Sequence, residues 1–237
     1  MKLIQTLTLF FALGCAIGMA QADDYDDATA AARRGDHAAA LKLLKPLAEK
    51  GNARAQAELG AIYMAGKGVP TDPKEAVKWT RLAAEQGVAS AQFNLGAMYL
   101  DGQFVAQDYK EAMKWTLKAA SQGLAAAQLN IASMYYDGNG VAQDYKEAVK
   151  WLRLAAAQGD ADAQLNLGTM YVAGQGVDKD LLRGHMWTRL ATESPSMSES
   201  DRKTIREMSS KTLTPEEIVK AEAMAKKCRE SAFKDCD

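Results

Sequence analysis

Apolar residues recur along this chain with the spacing of a helix face, and the whole pattern is repeated at a fixed interval. In the first copy the apolar face consists of Ala55, Leu59, Ile62 and Tyr63. Because residues three and four positions apart lie on one side of a helix, this face predicts an amphipathic helix. The interval is 36 residues, marked by Gln56, Gln92, Gln128 and Gln164 and by Trp79, Trp115, Trp151 and Trp187. Such a period is typical of stacked units that cannot bury their apolar faces alone.

Glycines and helix caps divide each copy into two helices. Gly66 and Gly68 follow the first apolar face, and glycine ends helices because it adopts positive φ without a Cβ clash. The segment Asp72–Glu75 then supplies an N-cap acceptor, a proline at the first helical position and a glutamate three residues after the cap. Behind the cap, Trp79 belongs to a second apolar face. Each repeat is therefore predicted to be a helix, a turn and an antiparallel helix, with the tryptophan of every copy buried.

The repeating sequence resembles the Sel1-like repeat, a relative of the tetratricopeptide repeat. The resemblance rests on the order Ala, Leu-Gly, Tyr, Gly-x-Gly-Val, Asp, Ala, Trp and Ala-Ala, kept in register from Asn52 to about Pro195. It implies an all-α fold, an α/α superhelical solenoid used for binding other proteins. We expect four repeats at 52–87, 88–123, 124–159 and 160–195, after a divergent N-terminal capping repeat at 23–51 and before C-terminal capping helices at 196–237.

The first 22 residues have the pattern of a secretory signal peptide. Lys2 precedes an apolar run, and Ala20-Gln21-Ala22 gives a small-x-small cleavage site. We expect a periplasmic or secreted mature chain that starts at Asp23. Two alternatives stay open: a membrane anchor, for which the run is marginal in length, and lipidation at Cys15, which the apolar residues after it disfavour.

The overall charge excludes some classes of partner. With a formal net charge of −1, the chain has no basic field to attract nucleic acid or an anionic membrane. We expect no nucleic acid partner and no stable membrane insertion after signal cleavage. The expected protein is a monomer that binds a protein or peptide.

Cys228 and Cys236 are the only cysteines left after removal of the predicted signal peptide. In an oxidising compartment, two such cysteines predict a disulfide. Eight residues of continuous helix would span about 12 Å, which is too far for the bond. The last helix is therefore expected to end near Phe233.

Few residues offer catalytic or metal-binding chemistry. His37 and His185 stand far apart and outside any metal-binding pair, so we interpret His185 as a packed side chain. Ser200 and Lys203 fit the Ser-x-x-Lys pattern of penicillin-recognising enzymes, but the partner motifs of that pattern are missing. We expect no catalytic, cofactor-binding or metal-binding residues. The alternative function is a penicillin-binding, β-lactamase-like or cell-wall-acting enzyme, which cysteine-rich Sel1-like relatives suggest.

Polar positions on the first helices form the candidate binding site. In peptide-binding tetratricopeptide proteins an asparagine just before the Leu-Gly pair contacts the ligand, and by resemblance Asn94, Asn130 and Asn166 take that role on the concave face. The predicted binding residues are Arg54, Glu58, Asn94, Asp101, Asn130, Tyr136 and Asn166. Arg54 is the only basic residue in its row, so a clamp for a terminal carboxylate is not expected. The alternative is that the asparagines hydrogen-bond between neighbouring helices and serve the stack.

Overall fold

A computed structural model describes residues 24–234 and 236 of the chain. The predicted signal peptide at 1–22, the cleavage site at Asp23 and Cys15 lie outside the described residues. The described part is all-α, as predicted, with twelve helices and no strand. In chain order the helices are α1 (24–33), α2 (His37–Glu49), α3 (Ala53–Ala65), α4 (Pro73–Glu85), α5 (Ala89–Asp101), α6 (Tyr109–Ser121), α7 (Ala125–Asp137), α8 (Tyr145–Ala156), α9 (Ala161–Ala173), α10 (Leu181–Ala191), α11 (Glu199–Thr212) and α12 (Pro215–Glu230). None of the described helices is long and apolar enough to cross a membrane.

Helix boundaries in the repeats follow the predicted caps. The first helices of the repeats are α3, α5, α7 and α9, and each ends at a left-handed glycine, for example Gly138 with φ of 75°. The second helices are α4, α6, α8 and α10, and each begins behind an aspartate. In α8 the Asp144 carboxylate accepts from the backbone N–H groups of Lys146 and Glu147 at 2.9 and 3.1 Å. These bonds satisfy N–H groups that a helix start leaves without partners.

The second glycine of the turn permits a close approach to a neighbouring helix. At Gly140, with φ of 75°, an added Cβ would lie 2.2 Å from the backbone oxygen of Tyr109. The second repeat has Phe104 at this position, and Phe104 keeps the left-handed backbone with φ of 67°. The turn therefore retains its shape even where the glycine is replaced.

The described residues divide into two compact units. The first unit ends at Met98 and also includes Gly102–Ala106. Within it, α2 packs on α3 and α3 packs on α4. The buried core of this unit includes Leu44, Leu59 and Trp79.

The second unit comprises Tyr99–Asp101 and the chain from Gln107 onward. Its helices pack in succession from α6 to α10, and α12 then packs on α10. Cys228 on α12 is fully buried and forms a disulfide with Cys236, as expected. The bond is possible because α12 ends at Glu230 and the chain turns back.

The repeated glutamine is part of the scaffold. Each copy is 2 to 5% exposed, and its Nε2 donates to the backbone oxygen of the residue eight positions earlier. The accepting residues are Ala48, Ala84, Ala120 and Ala156, at 3.0, 3.0, 3.2 and 3.2 Å. Each of these carbonyls also accepts from the backbone N–H of the glycine three residues later, so the glutamine adds a second hydrogen bond at the end of each preceding helix.

The prediction that all four tryptophans are buried is wrong for one of them. Trp79 and Trp115 are 5% exposed and Trp187 is 2% exposed, whereas Trp151 is only partly buried at the edge of the core. In α8 the inward side chains include Leu152, 3% exposed, which stands where three copies have threonine. The larger leucine fills the inward position beside Trp151.

Candidate binding groove

In the first unit, the predicted binding residues are placed on α3 and α5. Arg54 and Glu58 are exposed, and Asn94 is partly buried. Burial raises the pKa of the nearby Tyr25 phenol, and the Glu58 carboxylate raises that pKa further. The Arg54 guanidinium lowers the pKa of the Tyr25 phenol. These two charged side chains therefore lie near α1.

In the second unit, the structure brings Tyr136 and Asn166 together at a groove between α7 and α9. Its volume is about 250 Å³. The lining residues are Ala132, Ser133, Tyr136, Asp137, Leu152, Asn166, Thr169, Met170 and Gln175. Two other predicted residues, Asp101 and Asn130, belong to this unit but do not line the groove.

The floor of the groove is apolar. Two of its residues differ from the residues at the same positions of other repeats. In the first and fourth repeats a glycine on the first helix faces a threonine on the second, and an added Cβ on Gly168 would lie 2.6 Å from the Thr188 side chain. The third repeat has Ala132 and Leu152 at the corresponding positions, and both line the groove. Sequence reasoning missed these floor residues. The signal was present in the change from Leu-Gly to Ile131-Ala132.

The polar walls of the groove are only partly satisfied within the protein. The Ser133 and Thr169 hydroxyls donate to backbone oxygens one turn earlier, at 3.2 and 3.0 Å. The Tyr136 hydroxyl donates to Gln175 Oε1 at 3.4 Å, which joins α7 to the turn after α9. The Tyr136 ring also lies 5.1 Å from the Tyr145 ring, measured between centroids, so the tyrosine is held in place.

The side-chain amides of the repeated asparagines differ from those of the repeated glutamines in their hydrogen bonding. Between residues 24 and 234, no protein group hydrogen-bonds the side-chain amide of Asn94, Asn130 or Asn166. Asn166 is exposed, and the other two are partly buried. Their amide donors and acceptors are therefore open to water or to a ligand.

A second cavity of about 260 Å³ lies beside the groove, between α9, α10 and α11. Asn166 and Thr169 line both spaces. The remaining lining is mainly apolar and includes Ile205 and Met208 of α11. Sequence reasoning did not predict this cavity, because nothing in the polar sequence of α11 indicates where that helix lies.

His185 connects α10 to α11 at this cavity. Its Nε2 lies 2.7 Å from the Thr212 hydroxyl and its Nδ1 lies 2.9 Å from the Ser209 hydroxyl. Burial lowers the pKa of His185 below its ordinary value. The interpretation of His185 as a packed side chain is confirmed, since it is 9% exposed.

The Ser-x-x-Lys segment has no enclosed site. Ser200 and Lys203 are exposed on α11, and the Lys203 ammonium lies 3.9 Å from the Glu207 carboxylate. Neither residue lines the groove or the cavity beside α11. Within the described residues, no group of three or more His, Cys, Asp or Glu side chains is placed to hold a metal ion.

The fold and the groove together define an α-helical repeat protein with a candidate ligand site on its first helices. The Sel1 repeat family matches residues 53–88, 89–124, 125–160 and 161–196. The chain therefore belongs to the Sel1 repeat family, whose members typically act as protein-binding adaptors and are generally non-catalytic.

Two solved structures support the same assignment. The protective antigen c5321 of uropathogenic Escherichia coli, which displays an SLR fold, is 34% identical over 82% of this chain, with a TM-score of 0.75. This chain spans 42% of the length of that antigen. A Sel1 repeat protein from Oxalobacter formigenes is 34% identical, with a TM-score of 0.68, over 71% of this chain and 69% of that one. No curated protein matches the chain.

Proposed function

We propose that this protein is a periplasmic or secreted, non-catalytic adaptor that binds a protein or peptide on the face of its first helices. Membership of the Sel1 repeat family supports the binding role. The signal-peptide pattern of the first 22 residues supports the location.

The observation that carries the proposal is the contrast between two repeated amides. The glutamines are buried and bonded to the backbone, so they serve the stack. The asparagines Asn94, Asn130 and Asn166 have no such bond among the described residues, so the alternative scaffold role has no contact to support it. A primary amide offers both donors and acceptors, which suits the backbone of an extended peptide.

The test is capture of a partner from periplasmic and extracellular protein by the purified protein. We compare it with the triple variant Asn94→Ala, Asn130→Ala, Asn166→Ala. The matched control is Lys74→Ala, Lys110→Ala, Lys146→Ala, which changes exposed side chains at one position of three second helices. Circular dichroism and thermal melting establish that both variants fold.

We expect the asparagine variant to bind a captured partner at least about tenfold more weakly, and the lysine variant to bind normally. Equal affinity of the asparagine variant and the unmodified protein would contradict the proposal. Loss of binding in the lysine variant alone would move the site to the second helices.

A further inference from the structure

The hydrogen-bonding groups of the groove are mostly acceptors. The Ser133 and Thr169 hydroxyl protons are directed to backbone oxygens, and the Tyr136 proton to Gln175. Each of these oxygens keeps acceptor capacity, because a hydroxyl has one proton and two lone pairs. The amide nitrogens of Asn166 and Gln175 are the main donors of the lining. A donor-rich ligand therefore fits this groove better than an acceptor-rich one.

The charge of the groove also favours a cationic ligand over an anionic one. Asp137 is the only acidic or basic residue in its lining. Neither α7 nor α9 contains a lysine or arginine, and their other charged residue is Asp162. A carboxylate or phosphate in the groove would face Asp137 without a compensating cation, whereas a cationic group would be attracted.

The apolar floor of the groove also restricts the shape of the ligand side chain. Leu152 and Met170 are 3% exposed, and together with Ala132 they form the base beneath the polar walls. A side chain that fits must place an apolar stem on this base and a polar, cationic head against the walls. Tyr136, 38% exposed, adds an aromatic ring at the rim.

Arginine meets these requirements better than lysine. Its guanidinium presents five N–H donors in a planar fork, stays charged at all relevant pH values and stacks on aromatic faces. Lysine offers a compact head with three donors, so it engages fewer of the separate acceptors at Ser133, Asp137 and Thr169.

We propose that the groove between α7 and α9 receives an arginine side chain of the partner peptide. In this arrangement the aliphatic stem lies on Leu152 and Met170, and the guanidinium faces the Asp137 carboxylate. The proposal rests on the proposed function, because it assigns the chemistry of the segment that the first helices bind.

The experiment begins with selection of a random, displayed decapeptide library on the purified protein. We expect the enriched peptides to contain arginine more often than the starting library. One enriched peptide is then synthesised in three forms, carrying arginine, lysine or citrulline at the selected position. Citrulline has nearly the shape of arginine without its charge, so it isolates the contribution of the cation.

Calorimetry then gives Kd for each peptide with the unmodified protein, Asp137→Asn and Asp162→Asn. We expect citrulline to weaken binding to the unmodified protein by about tenfold, with lysine intermediate. In Asp137→Asn the difference between arginine and citrulline should largely disappear, whereas Asp162→Asn, which does not line the groove, should keep it.

Distinct outcomes overturn the two proposals. Enriched peptides without excess arginine, or an arginine preference that Asp137→Asn leaves intact, would overturn the arginine assignment alone. Peptides that bind the unmodified protein and the asparagine triple variant equally would overturn the proposed function. Failure to enrich any peptide would count against both.

Discussion

At the scale of single residues, side chains that repeat with the same period have different roles. Gln128 is 5% exposed and donates to Ala120, so its amide belongs to the stack. Asn130, two positions later, has no hydrogen-bond partner for its amide within residues 24–234. Periodicity alone therefore identifies the repeat but does not separate side chains bonded within the stack from side chains that are open to water or a ligand.

The tryptophans give a residue-scale prediction about stability. Trp115 is 5% exposed, and its indole N–H donates to Glu111 Oε2 at 3.0 Å. Trp115→Ala should lower the free energy of unfolding by about 3–5 kcal/mol, because it empties a buried aromatic site. Trp151→Ala should cost clearly less, since Trp151 is only partly buried.

Urea unfolding, followed by circular dichroism, measures both variants on the same scale. Equal losses for the two substitutions would show that Trp151 contributes as much to the core as Trp115. That result would contradict the different burial of the two side chains.

The residue scale is also where prediction from sequence was least complete. Tyr136 and Asn166 were predicted, and the structure places both at the groove. Leu152 was missed because a leucine in a helix appears as one more core residue, and its role at the floor depends on how α7, α8 and α9 pack. The burial of Trp151 was wrongly predicted for the same reason, since the large side chains that α8 buries are Val149 and Leu152.

At the scale of elements, the caps specified most helix ends, but the contacts of α11 were not predictable. The sequence predicted capping helices within 196–237, and α11 extends from Glu199 to Thr212 in that segment. It has no buried residue, and its hydrogen bonds to α10 run through His185 to Ser209 and Thr212. A helix with no buried residue and few hydrogen bonds to its neighbour is expected to open more easily than the core helices.

The attachment of α11 should weaken in acid. Burial lowers the pKa of His185 below its ordinary value of 6.5. The unfolded or opened state therefore binds the proton more readily, so this stabilisation is complete above pH 6.5 and is lost as pH falls below that value. Hydrogen exchange of α11 amides, corrected for intrinsic rates, should show reduced protection at about pH 5 relative to neutral pH.

His185→Gln is the control for that effect, because glutamine does not titrate. Its α11 protection is expected to change less with pH than that of the unmodified protein. The same pH response in both proteins would show that other groups control the opening of α11.

At the scale of the whole molecule, the sequence was sufficient for the fold class and the family. Four copies of one pattern specify the paired helices, because each copy carries its own turn glycine and aspartate cap. The place of the groove was not specified in this way. It lies in the third repeat, where Ala132 and Leu152 depart from the pattern that reveals the repeats.

Site-specific photo-crosslinking tests most directly whether the first helices hold the partner. A benzophenone amino acid is placed at Thr169, which is exposed and lines the groove, or at Leu154, which is 50% exposed on the second helix α8. Both proteins are irradiated with the same periplasmic and extracellular proteins. Binding in the groove predicts a covalent partner adduct from position 169 and none from position 154. An adduct from position 154 alone would contradict the account and place the partner on the second helices.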